Sequence, residues 1–244
     1  MTQTPTAGPP TAPAKSLFAR FLGILFAPRA TYAEVAARPR WLGIFLTVFL
    51  LSATASVALL STEVGRNAVI DQQVVSRESF GRPMTPAQIE QVEKFAPYFV
   101  YITPAFQLLG LSVIGLVVAG VSFAVFNAVL GGDATFKQVF AVVCHSGVVL
   151  AALSFFTTPL AYVRESLSSA TNLAIFLPFL YDSSFLARML GAIDLIFIWW
   201  MLSLAIGLGV LYRKRTAPIA ITMLAVYAAI AVIIAAIKTV STGV

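Results

Sequence analysis

The sequence predicts an all-α, polytopic membrane helical bundle of about five transmembrane helices, led by an N-terminal amphipathic interfacial helix. Three observations predict it. Hydrophobic residues make up 59% of the 244 and charged residues only 11%, against about 45–50% and about 25% in soluble domains. Long runs contain no Asp, Glu, Lys or Arg, and one span needs roughly 20 apolar residues. The basic residues also fall unevenly between the segments that join those runs.

Residues 1–14 (MTQTPTAGPPTAPA) are a Pro/Thr/Ala tail expected to be disordered. The next stretch, KSLFARFLGILFAP, places Phe18, Phe21, Leu22 and Leu25 on one helical face, with Lys15 and Arg20 off it. That pattern suits a helix lying in the headgroup layer, with Lys15 and Arg20 as surface anchors. Arg20 splits the apolar stretch and no small-x-small site follows, which speaks against a cleaved signal peptide. Thr31 to Glu34 (TYAE) reads as a capping box, and Arg38-Pro39 as the end of that helix. Residues 15–40 are therefore expected at the cytoplasmic surface.

The membrane domain is expected over 41–240. Trp41 to Thr62 is an uncharged run of 22 residues, Phe95 to Gly132 one of 38, and 138–163 one of 26. Asp194 interrupts the run from Met189 to Tyr212, and a last run of 22 residues lies between Arg215 and Lys238. The expected spans are about 41–62, 98–130, 138–162, 188–212 and 217–237. Pro97 and Pro104 mark the start of the 38-residue run as a kinked approach to the membrane. Residues 172–181 (NLAIFLPFLY) are too short to cross and read as interfacial or re-entrant. Between the first two spans, residues 63–94 form the one large polar segment. There Thr85-Pro86-Ala87-Gln88 reads as a helix start, and Ile89, Val92 and Phe95 continue an apolar face.

With the N-terminus in the cytoplasm, the inside segments carry nine basic and two acidic residues and the outside segments seven of each. The excess behind the net charge of +6 is then a topology signal, with the C-terminus outside. Lys137, Arg213, Lys214 and Arg215 are the remaining inner-surface anchors. Nothing in the pattern offers nucleic acid a basic reading face.

The stretch GGDATFKQVFAVVCHSGVV holds the sole Cys and the sole His of the chain, Cys144 and His145. Gly131-Gly132 can end one helix and Asp133 or Thr135 can cap the next. Adjacent helix positions point about 100° apart, so Cys144 and His145 do not form a nucleophile–base pair. One Cys and one His give no metal or cofactor framework.

The same residues carry a family resemblance. GGDATFKQVFAVVCHS resembles the signature of bacterial Yip1-domain proteins, and FAPRATYAEVAARPRW resembles that family's lead-in to its first span. The resemblance covers nearly the whole chain. It implies a multi-pass integral membrane protein of the bacterial inner membrane, with no catalytic residues to carry over. The DLYGP-type motif of eukaryotic Yip1 proteins is absent, so their GTPase partnership is not implied.

Four polar residues within the spans are the candidate sites: Asp194, Gln107, His145 and Asn127. A membrane carboxylate is costly to bury and marks function by default. The depths pair Asp194 with Gln107, and Asn127 with His145, as two hydrogen-bonded layers; interhelical glue is the competing role. Gly115 with Ala119, Ser203 with Gly207, and Ala205 with Gly209 are expected at tight helix contacts. Of Trp199 and Trp200, one is expected on a neighbouring helix and one on lipid. The reading is a non-enzymatic membrane organiser or adaptor with lipid bilayer, membrane-protein or self partners. The alternative is a small transporter, channel or lipid-handling protein.

Overall fold

The computed structural model describes residues 16–181 and 183–242. The expected disordered tail, the anchor Lys15 and Asp182 lie outside the described residues. Every named element is helical: α1 (Leu17–Phe26), α2 (Pro28–Ala37), α3 (Leu42–Leu60), α4 (Glu63–Glu78), α5 (Pro86–Phe95), α6 (Phe99–Phe123), α7 (Phe136–Ser146), α8 (Val148–Val163), α9 (Phe185–Gly191), α10 (Leu195–Leu211) and α11 (Thr216–Thr242). Strand pairing among the described residues is limited to an isolated bridge, Asn172 with Asp194.

Four helical stretches are long and apolar enough to cross a membrane: Leu42–Leu60, Pro86–Val129, Phe136–Val163 and Thr216–Thr242. The expected span at about 188–212 is not one continuous helix. Its first part is α9, residues 192–194 are unwound, and α10 continues as a 17-residue apolar helix. The broken helix keeps one side against α11. Arg188, in the middle of α9, donates to Thr242 at 2.8 Å, and the Tyr227 hydroxyl, near the middle of α11, donates to the Ala192 carbonyl at 3.0 Å.

Local chemistry accounts for most element ends. Thr85 with Gln88 and Thr135 with Gln138 each form a complete capping box, the side chain and backbone bonding reciprocally. Of the two caps expected for α7, Thr135 is the one used. Pro97 starts no new helix: a short 3₁₀ turn, Ala96–Tyr98, leads into α6, and Pro104 sits inside it. At its far end α6 passes into a π-turn, Ala124–Val129, before Gly131 takes the left-handed backbone at φ +67 that glycine adopts without strain. The expected capping box at Thr31–Glu34 is not formed. Pro28 starts α2 three residues earlier, so Thr31 is inside the helix and its hydroxyl donates to the Ala27 carbonyl at 3.1 Å.

The core lies where α1, α2, α7 and α10 meet, with α3 and α8 closing it. Every α7 residue from Val139 to Ser146 is buried. Small residues permit this density. A Cβ on Gly207 would come within 2.8 Å of the Tyr32 ring, and Ala119, Ser203 and Ala205 are buried. Around this core the surface is apolar: α6 exposes Tyr101, Phe106, Leu109, Val113, Ile114 and Val117 among others. An apolar surface of that extent belongs in lipid.

Contacts separate the two ends of the bundle. At one end the Gln138 side chain donates to the Ala36 carbonyl at 2.9 Å, and the Tyr212 hydroxyl to Asn127 Oδ1 at 2.6 Å. At the other, the Lys238 ammonium lies 5.2 Å from the centre of the Phe80 ring. Segments 38–41, 131–138 and 212–216 thus share one end. The α4–α5 turn and the C-terminal end of α11 share the other.

Candidate functional site

Two polar constellations interrupt the apolar bundle. The first is built on Asp194. Its carboxylate caps α10: Oδ1 accepts the Ile196 backbone N–H at 2.7 Å, while Oδ2 accepts the Thr171 hydroxyl at 2.9 Å and the Ser169 hydroxyl. The backbone follows the side chain. Leu195 N–H donates to the Thr171 carbonyl at 3.0 Å, and Leu173 N–H to the Ile193 carbonyl at 2.9 Å. Two unwound segments, 169–172 and 192–194, therefore exchange the hydrogen bonds that each would otherwise lack within an apolar surrounding. Asn172 adds its own cap on the following 3₁₀ turn, Leu173–Phe176, so 172–181 is folded against the break in α9–α10.

The second constellation was only half visible in sequence. His145 is 0% exposed. Its Nδ1 lies 2.7 Å from the Ala141 carbonyl; a carbonyl only accepts, so Nδ1 carries the proton. Nε2 has no hydrogen-bond partner among the described residues. The charged groups whose field reaches the ring are Arg20 of α1 and Glu34 of α2. Arg20 Nε stands 3.4 Å from Glu34 Oε1. Nε also counts among the buried atoms without a hydrogen bond; the two findings agree if the contact is an ion pair whose N–H is not aimed at the oxygen. Next to it, the hydroxyls of Tyr32 and Ser203 share a 2.8 Å hydrogen bond, and the Trp200 indole donates to Ser146 at 3.0 Å. Burial holds the Tyr32 phenol above its ordinary pKa, the Ser203 bond pulling the other way.

Several expected placements change. Arg20 is not a surface anchor: it is 3% exposed and faces the core with Ile24. The apolar residues of α1 face outward instead, Phe18 at 72% and Phe26 at 82% exposure. The reason is the partner: Glu34 offers Arg20 an opposite charge inside, and a lipid-facing helix must turn its cation inward. Lys137, Arg213, Lys214 and Arg215 are exposed at one end of the bundle. Asp194 does not pair with Gln107; Ser169 and Thr171, on the preceding loop, reach it first. Asn127 and His145 do not form one layer. Asn127 donates to the Ala134 carbonyl at 2.7 Å and accepts from Tyr212, tying the turn before α7 to the end of α10. Trp200 packs on α7 and Trp199 is exposed, as expected of that pair.

Arg20 and Glu34 had a legible signal. A lone cation within FARFLGILF needs a counter-charge if the helix enters an apolar layer, and Glu34 is one of two acids assigned to that side. Ser169 and Thr171 carried no comparable signal in SLSSATN.

The comparisons with known proteins fall on this frame. The Yip1 domain matches residues 22–237, most of the chain. The chain belongs to the Yip1 family. The matched region starts within α1 and ends within α11, so it takes in the Arg20-to-Glu34 lead-in only in part and both polar constellations nearly whole. No curated protein and no solved structure matches. This Yip1-domain chain is a membrane protein with several apolar helices. Among the described residues no three His, Cys, Asp or Glu side chains gather as a metal site.

Proposed function

We propose that this Yip1-family protein is a non-enzymatic membrane organiser or adaptor, acting through helix packing on a membrane-protein partner or a second copy. It sits in the bacterial cytoplasmic membrane with its N-terminus in the cytoplasm and its C-terminus outside. One observation carries the reading: both oxygens of Asp194, the acid expected within a span, are occupied by donors of the chain itself. Three of its roughly four lone-pair directions are taken by the helix break it holds shut, which supports a structural role over a cargo site. Two concavities on the bundle, of about 460 and 540 Å³, are lined by other residues.

A second reading rests on the break itself. Discontinuous spans with a helix N-terminus at the break are how many transporters build a site near the midplane. The two readings part on Asp194→Asn in a complementation assay of a deletion phenotype. The organiser reading expects a folded protein that complements. A folded Asp194→Asn protein that fails to complement would transfer the assignment to a small transporter, channel or lipid-handling protein.

A further inference from the structure

We infer that the groove between α3, α6 and α7 is a resident binding site for one anionic phospholipid, with an acyl chain in the groove and the headgroup on Lys137. The groove is lined by Trp41, Leu42 and Phe45 of α3 and its entry, by Ser112 and Leu116 of α6, and by Phe136, Lys137 and Phe140 of α7. Its volume of about 460 Å³ lies in the range of sites that bury most of a small ligand, about 300–1,000 Å³.

Its walls are preformed. Trp41 meets Phe140 edge-on at 5.0 Å between ring centres, and Phe136 stacks on Phe140 at 6.1 Å. Such ring contacts hold side chains in place and keep the groove from collapsing. On the opposite wall Gly115 lies beside the Phe140 ring, where a Cβ would be in ordinary contact at 3.6 Å. The one polar group of α6 in the lining, the Ser112 hydroxyl, is spent on the Leu108 carbonyl at 2.8 Å. What remains open to an occupant is hydrocarbon and aromatic surface.

The mouth decides which occupant. The groove runs out onto the exposed apolar faces of Leu42, Leu116 and Phe136, so it opens sideways into lipid. Its rim carries a cation: Lys137 is exposed and no hydrogen bond or ion pair occupies its ammonium among the described residues. Arg40 is exposed one residue before Trp41, at the same end. No acid lines the groove. A molecule with an apolar tail and an anionic head satisfies both halves, whereas a partner helix of apolar residues leaves Lys137 unanswered. A bilayer phospholipid reaches the site without crossing water. The lipid acts as a fitted part of the bundle, and the site holds under either reading of Asp194.

The test is native mass spectrometry of the full-length chain in detergent, titrated with phosphatidylglycerol or with phosphatidylcholine of the same chains. The wild type should retain one phosphatidylglycerol in preference to phosphatidylcholine. Lys137→Gln should cut that preference about fivefold, the contribution of one interfacial cation, while the protein stays folded because Lys137 is exposed. Leu116→Trp, which fills the groove, should reduce retention of both lipids. Equal retention of the two lipids by the wild type, or an unchanged preference in Lys137→Gln, would overturn the site. So would a Leu116→Trp protein that keeps its lipid but changes oligomeric state, since the groove would then be a protein contact.

Discussion

At Asp194 a single carboxylate accepts three donors, and its geometry ranks the consequences of replacing it. Asparagine keeps an acceptor for the Ile196 N–H and is itself a favoured N-cap. Asp194→Asn should therefore lose less than about 1 kcal/mol. Leucine removes the cap and strands the Ser169 and Thr171 hydroxyls in an apolar setting, so Asp194→Leu should lose about 2–3 kcal/mol. Thermal unfolding in detergent reads the order; equal losses would mean that the cap on the Ile196 N–H contributes nothing. The Arg20–Glu34 pair makes a sharper demand, because removing Arg20 takes a cation from beside Glu34 in a largely buried setting. Arg20→Met should cost about 3–5 kcal/mol alone. Arg20→Met with Glu34→Gln should recover part of that loss, which the same melts would show. A double variant no better than Arg20→Met would mean that other groups around Glu34 govern the site. Burial also sets the thiol. Cys144 is buried, so it should resist a membrane-impermeant maleimide until the protein is denatured; rapid labelling of the native protein would require an aqueous route into the core.

Among the elements, legibility in the sequence followed the nature of the signal. Thr85–Gln88 was readable as a helix start, and Thr135 as one of two candidate caps, because their chemistry is local. Thr31–Glu34 carried the same spelling and failed because Pro28 supplies a competing start one turn earlier. Four long apolar stretches were readable from length and apolarity alone. The break at 192–194 was not, since it depends on a loop more than twenty residues away supplying Ser169 and Thr171. Likewise the facing of α1 turned on Glu34, which lies on another helix. Small residues show the same division between local and long-range causes. Gly207 is packed under Tyr32 and Val142, so Gly207→Ala should overpack and cost about 1–3 kcal/mol. Gly120 of α6 has nothing within 4 Å of a built Cβ, so Gly120→Ala should be neutral or slightly stabilising. Melting both variants side by side checks the packing directly; a destabilised Gly120→Ala would reveal a partner surface on α6.

For the molecule as a whole, the charge pattern and the contacts sort the chain into the same two ends. The basic residues place segments 15–40, 131–137 and 213–215 on one side by charge. Independently, the contacts of Gln138 with Ala36 and of Tyr212 with Asn127 hold those segments at one end of the bundle, and Arg188 with Thr242 and Lys238 over Phe80 hold the C-terminal end at the other. Neither argument uses the other, and they divide the chain in the same way. The division requires an odd number of crossings between α2 and Thr242. Four long apolar stretches give an even number, so the topology proposed from charge needs the broken α9–α10 segment as a fifth crossing. Its geometry allows this: 17 residues of α10 rise about 25 Å, and α9 with the unwound link supplies the remainder of a hydrocarbon core about 30 Å thick. Reporter fusions after Arg215 and after Val244 should accordingly report opposite faces, with Arg215 in the cytoplasm. A third fusion, after Glu165, should agree with the one after Val244. Should the fusions after Glu165 and Arg215 report the same face, α9–α10 would be a re-entrant cover rather than a crossing, and the C-terminus would return to the side of the N-terminus.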